Sequence, residues 1–247
     1  MVQLRRQGQR EAARVWRQVR PDDLDGTFEL GLLTLAVTTL QREAARLSSA
    51  YLSAFVASEL GEPERPPPLT VWDKAFGGGD LAESLRSGIV KAKILIADGM
   101  TPREATRKGR PILIGNVGLA IDTAARESLR QGMEADERII GYNRAIKGTC
   151  GACAGSTTYE AFSPNAPVIP LGVHVNCVCV SEPVLTGVPD RFPRPTGDQV
   201  FASLSSEKQD EMLGPAAAEK VRQGEATLSD FVMEEGGFIK QKPASDV

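Results

Sequence analysis

The sequence predicts a mainly α protein of α+β type: a helical body, a small metal-stapled β module and short C-terminal helices. Three observations predict it. Aromatic residues make up only 5% of the chain while Ala and Leu are plentiful, which favours helix packing over a β-sandwich, since strands prefer aromatic and β-branched side chains. Apolar residues recur at steps of three and four over long stretches, the spacing of one helix face. All four cysteines and the only histidine fall in one window, Gly148 to Pro183, rich in Gly, Pro and small polar residues. Such a window cannot bury enough surface to offset its ordering entropy without a staple.

The first twenty residues carry Arg5, Arg6, Arg10, Arg14, Arg17 and Arg20 against one acid, Glu11. Arg6, Arg10, Arg14 and Arg17 share helical spacing and line one face. That face reads first as solvated and second as a contact to DNA or an acidic partner surface. Asp22, Asp23 and Asp25 suit the start of the next helix. From Leu33 the apolar positions run Val37, Leu40, Ala44, Leu47, Tyr51 and Ala54. They predict one buried stripe on a long helix ending near Gly61. "GEPERPPPL" stops that helix and reads as a polyproline linker and a domain boundary.

A second helical region follows. Asp80 with Glu83 makes a capping-box start, and Leu81, Leu85, Ile89, Ala92 and Ile96 share a face up to Gly99. "TPRE" opens the next helix with Thr101 as cap and Pro102 in the first turn. Pro111 kinks or divides it, and Val117, Ile121, Ala124 and Leu129 continue the stripe to Gly132. "ERIIGYNRAI" and "VCVSEPVL" read as two short strands flanking the cysteine window. Ser206 and Gln209 then sit at capping-box spacing, Gly214-Pro215 is a stop, and "AAAEKVRQG" is a short helix. The tail after Glu235 is polar, with two glycines, and reads as mobile. The regions are therefore 1–62, an N-terminal helical region with a basic arm; 63–79, a linker; 80–136, a second helical region; 137–190, the Cys/His module; and 191–247, a C-terminal tail with short helices.

Composition bounds the function. A chain of 247 residues, 41% hydrophobic and 25% charged, is that of a soluble globular protein of one or two domains. The net charge of -3 argues against a whole-chain nucleic-acid binder. Leu30 to Leu40, the longest apolar stretch, is too short to cross a bilayer, so no membrane association is expected. "MVQLRRQGQR" has no apolar core of a signal peptide. A reducing compartment is expected, which tilts the cysteines toward metal.

The window reads C-x2-C, then twenty residues, then H-x2-C-x-C. Cys150 and Cys153 grip one ion from a tight turn, and a second pair from a distant segment completes a tetrahedral shell. Thiolate-rich shells suit zinc, with iron a lesser candidate. Five candidate ligands, Cys150, Cys153, His174, Cys177 and Cys179, compete for four positions. An extended chain turns Cys177 and Cys179 to one face, whereas a turn at "HVNC" brings His174 and Cys177 together. Disulfides and plain buried thiols are the weaker readings. A structural zinc is expected, one per chain, and no enzymatic role: a closed thiolate shell leaves no open position. The deaminase pattern of H-x-E followed by P-C-x-x-C fails, with Asn176 in place of the glutamate and Thr149 in place of the proline. A Cys–His nucleophile with His174 as base needs a cysteine free of metal, and no orienting third group stands out.

"CGAC" followed by "HVNCVC", behind helices ending in "RIIGYNRA", resembles the phage Mu F-like head morphogenesis proteins, minor capsid proteins of tailed phages. Val175 stands where that family has proline. The resemblance covers roughly residues 80–190, and "LSSEKQDEMLGPAAAEKVRQGEATLSDFV" is similar to the C-terminal part of actinobacterial phage members. It implies a virion protein of the phage head, made in the host cytoplasm and associating with the portal protein, the major capsid protein or both. Charge adds a weak contact of the basic arm to packaged DNA. The alternatives are a nucleic-acid-binding or regulatory zinc module and, further off, a cysteine-dependent enzyme.

Overall fold

The computed structural model describes residues 2–65, 72–145, 159–161, 180–188, 196–235 and 238–241. The chain is mainly helical. Helices α1 (Val2–Trp16), α2 (Leu30–Leu60), α3 (Leu81–Ala97) and α4 (Pro102–Ala135) come first. Strands β1 (Ile139–Ala145), β2 (Tyr159–Ala161) and β3 (Val180–Leu185) follow. Then come α5 (Gly197–Ser203), α6 (Ser206–Leu213), α7 (Pro215–Arg222), β4 (Val232–Glu235) and β5 (Phe238–Gln241). Two compact units result: Met1–Phe55 with Glu64–Gly132, and Val56–Pro63 with Met133–Val247.

The first unit has one core fed by all four long helices. Val15 and Trp16 of α1 join Leu33, Val37 and Leu40 of α2, Leu85 and Ile89 of α3, and Leu113, Val117 and Ile121 of α4. Helices from both sides of the proline stretch share this core. The expected caps are present. Asp80 accepts a hydrogen bond from the Glu83 amide at 2.8 Å. The Thr101 hydroxyl accepts from the Glu104 amide at 3.4 Å and donates to its carboxylate at 2.8 Å. Pro111 lies inside a continuous α4. It removes one helical hydrogen bond, while fully buried Ala105 and Leu113 on either side hold both halves in the core.

Two features differ from the sequence reading of α2. The acidic cluster does not open the helix. Asp23 instead accepts from the Gly26 amide at 3.0 Å and pairs with Arg20 at 3.1 Å, in a turn that precedes Leu30. The apolar stripe is buried only in its first half. Leu33, Val37, Leu40 and Ala44 are in the core, whereas Leu47 is 38% and Tyr51 48% exposed, and Ala54 is exposed too. The strict four-three alternation has a period of 3.5, which drifts about 20° per heptad off a straight helix. Burial passes to Ala45, Ser49, Leu52, Ser53 and Val56. Leu40→Asp is therefore expected to cost about 3–5 kcal/mol, as an unpaired charge in a core does. Leu47→Asp should stay within roughly 0.5 kcal/mol of wild type. Thermal melts of the two variants side by side check this.

Close helix approach is the second organising feature of this unit. A Cβ on Gly88 of α3 would lie 2.8 Å from the Gly109 carbonyl oxygen of α4, and a Cβ on Gly109 would overlap the Gly88 carbonyl. The Trp16 ring covers both glycines, 3.0–3.1 Å from those Cβ positions. Further along α4, Gly8 of α1 faces Val117 and Ile121, and Gly118 faces Arg5 and Gln9. Thus α1 runs antiparallel to α4. Arg5 pairs with Asp122 at 2.8 Å. Burial raises the Asp122 carboxyl above the ordinary aspartate range, with Arg5 and Arg126 pulling the other way.

Within the second unit, a small core gathers Phe201, Met212, Leu213, Ala217, Ala218, Leu228 and Phe231. A reciprocal capping box joins Thr196 and Gln199, at 2.9 and 3.2 Å, at the start of α5. The cap of α6 is Ser205, one residue before the serine the spacing suggested. Gln209 is drawn inward instead and donates to the Phe201 carbonyl at 2.9 Å. Gly214, at φ 84°, forms the corner between α6 and α7. Past Glu235 the described residues include β5, which pairs antiparallel with β4, Val232 opposite Gln241.

Candidate metal centre

The two strands expected around the cysteine window are present and pair with each other. β1 and β3 run antiparallel, with Tyr142 opposite Pro183, Arg144 opposite Ser181 and Ala145 opposite Val180. A register shift between Ile139 and Gly141 bends the start of β1. Among the described residues β3 is an edge strand, which suits Pro183, whose ring nitrogen cannot donate to a ladder. Burial alternates along it, with Ser181, Pro183 and Leu185 buried and Glu182 and Val184 partly exposed, the pattern of a sheet packed on one face.

β2 lies inside the window and went unrecognised in the sequence. It pairs with the other side of β1, Asn143 opposite Tyr159 and Gly141 opposite Ala161, giving the order β2-β1-β3. Its signal is "TTYEAF", a short run of β-branched and aromatic residues.

The strand order has a consequence for the candidate ligands. Ala145 ends β1, Tyr159 begins β2 and Val180 begins β3, and the pairings put all three at one end of the sheet. Neighbouring strands lie about 4.8 Å apart. Cys150 follows Ala145 by five residues, Cys153 precedes Tyr159 by six, and His174, Cys177 and Cys179 precede Val180 by six, three and one. Both halves of the C-x2-C and H-x2-C-x-C pattern are thus tethered to the same sheet end. Cys150, Cys153, His174, Cys177 and Cys179 themselves lie outside the described residues. Among the described residues, no group of three or more His, Cys, Asp or Glu forms a metal-binding cluster.

The opposite end of the sheet is held by charge. Arg138, just before β1, forks onto Asp136 at 2.8 and 2.6 Å and reaches Glu62 at 2.8 Å. Its backbone carbonyl accepts from the Thr186 amide at 2.9 Å, just past β3. The hydrogen bond to Asp136, with Glu62 adding to it against burial, pushes the guanidinium further above its ordinary range. Arginine is always charged, so the cation of this clamp is permanent.

The donor chemistry and the topology fit a single thiolate-rich ion. Cys150 and Cys153 would supply two ligands, and two of His174, Cys177 and Cys179 the others. A bound zinc would supply folding energy to the sheet end, of order 10 kcal/mol in favourable modules, and no reactive water.

Elsewhere in the first unit, a cleft of about 450 Å³ opens beside the start of α3, lined by Thr34, Thr38, Asp73, Lys74 and Asp80 among others. Asp80 is committed to its helix cap, and Lys74 sits over the Trp72 ring at 5.6 Å. No family model, curated protein or solved structure matches the chain.

Proposed function

We propose that this chain is a minor capsid protein of a tailed phage, of the Mu F-like head morphogenesis type. In this reading it associates with the portal protein, the major capsid protein or both during head assembly and carries out no chemistry of its own. The observation that carries the reading is the C-x2-C … H-x-N-C-x-C pattern behind a helical body. Two structural facts support it. The body is mainly helical, and the strands on either side of the pattern pair so that both ligand segments start or end at one sheet end. Among the described residues no helix is long and apolar enough to cross a membrane.

A protein of this kind works by contact between surfaces. The zinc module would serve as a rigid knob, and the exposed half-stripe of α2, Leu47 and Tyr51, offers apolar area of the sort a partner covers. The test is co-expression with the portal and major capsid proteins of its phage, followed by isolation of particles and mass spectrometry. The chain is expected in assembled heads at a fixed ratio to portal. Its absence from particles at every salt concentration would sink the proposal.

A further inference from the structure

We propose that the first unit carries a sequence-independent binding face for duplex DNA, built from the exposed arginines of α1 and of the first turns of α4. It rests on charge and helix geometry alone, so it stands or falls separately from the capsid reading.

Charge is divided between the units far more sharply than the net of -3 suggests. The first unit holds 19 Lys and Arg against 14 Asp and Glu, the second 10 against 18. Within the first unit the excess is concentrated. Arg6 and Arg10 of α1, and Arg17 just past its end, are exposed and have no hydrogen-bond or ion-pair partner among the described residues. Arg14, on the same face, is exposed and shared with Glu11 at 2.9 Å. On α4, Arg103, Arg107 and Arg110 stand at steps of four and three, which place them on one face. All three are exposed and likewise without a partner among the described residues.

The C-terminal end of the α1 row and the α4 row come near each other where α1 meets α4. Trp16 lies on Gly109. Arg17 is the next residue after that tryptophan, and Arg107 and Arg110 flank that glycine. The acids nearby are engaged: Glu11 with Arg14, Glu104 with Thr101, Asp23 with Arg20 and Asp25 with Lys93.

The kind of partner follows from the residue types. Every cation of the face is an arginine, whose planar fork matches phosphate oxygens. Arg6 to Arg17 spans about 16 Å of helix, and a duplex carries one phosphate per roughly 1.7 Å of its axis. The one aromatic residue of α1, Trp16, is 5% exposed, so the face has no platform on which single-stranded bases could stack. Backbone recognition without base readout is what remains.

Fluorescence anisotropy of the full chain with a labelled duplex of about 30 base pairs and arbitrary sequence tests this. Binding is expected at about 50 mM salt, with log K falling against log salt at a slope of roughly -3 to -5, about 0.9 per phosphate neutralised. The combined change Arg10→Ala, Arg17→Ala and Arg107→Ala should weaken binding at least roughly tenfold and flatten the slope by about 2.7. Its circular dichroism melt should match wild type. Lys208→Ala with Lys220→Ala, in the second unit, should leave both affinity and slope unchanged. No binding at about 50 mM salt, or a triple variant that binds like wild type, overturns the proposal. So does polyglutamate bound as tightly as duplex, which would assign the face to an acidic protein. A single strand bound more tightly than the duplex would overturn it as well.

Discussion

Replacing Gly109 with valine should cost the first unit about 3 kcal/mol or more and lower its melting temperature by roughly 10 °C. The reason lies in the crossing of α3 and α4. A Cβ at Gly109 overlaps a backbone oxygen, that of Gly88, and meets the Trp16 ring at 3.0 Å. A backbone carbonyl inside a helix cannot swing aside as the end of a flexible side chain can. The helices must separate, and the buried side chains around Trp16 lose contact with them. Gly115→Ala is the matched control on the same helix. A Cβ there meets nothing within 4 Å, so the change should stabilise by about 0.5–1 kcal/mol through the entropy glycine loses in a helix. Circular dichroism melts read both. A Gly109→Val protein that melts like wild type would show that α3 and α4 do not approach as closely as described.

The glycine crossing also shows where sequence reading stops. A glycine inside a helical pattern is only a weak point in the pattern, costing about 1 kcal/mol against alanine. Its purpose depends on a partner 21 residues away, and nothing local marks Gly88 and Gly109 as a pair. Caps are the opposite case. Asp80 and Thr101 announce helix starts because the amide they satisfy lies three residues on, in the same short stretch of chain. The α2 stripe falls between these extremes. Its first half was legible, while its second half required knowing that a straight helix drifts away from a 3.5-residue repeat. The Ser205 cap was missed by one residue because Gln209, which completed the expected box with Ser206, is used by the Phe201 carbonyl instead. For the candidate centre, β1 and β3 were visible as apolar runs. The three residues of β2 were too few to stand out from the Gly-rich and polar residues around them, although they complete the pairing of the sheet.

The metal prediction has the largest expected effect of all. Purified chain should carry about one zinc, held by Cys150, Cys153 and two of His174, Cys177 and Cys179. Cys150→Ser should release it, because a neutral hydroxyl replaces a thiolate and three remaining donors hold the ion far more weakly. The strands that flank the window should then exchange their amide hydrogens faster. The reason is topological: β1 and β3 are three-dimensional neighbours separated by 34 residues of chain, and once the ion is gone the pairing, the Arg138 clamp and the burial of one sheet face must oppose the loop entropy unaided. The amides of Tyr142 and Val184, in the middle of the sheet, are the ones to follow. Leu85, Leu113 and Val117, in the core of the first unit, should keep wild-type protection, because they pack against side chains of that unit's own helices. Elemental analysis and hydrogen exchange on the same two samples give both readings. Wild-type protein without metal, carrying four free thiols that react quickly with an alkylating reagent, would remove the staple from the account. Metal retained in Cys150→Ser, with His174→Ala or Cys177→Ser releasing it, would move the first ligand away from Cys150 while keeping the centre. Metal retained when Cys150, Cys153, Cys177 and Cys179 are all replaced by serine would instead place the ion outside the window altogether.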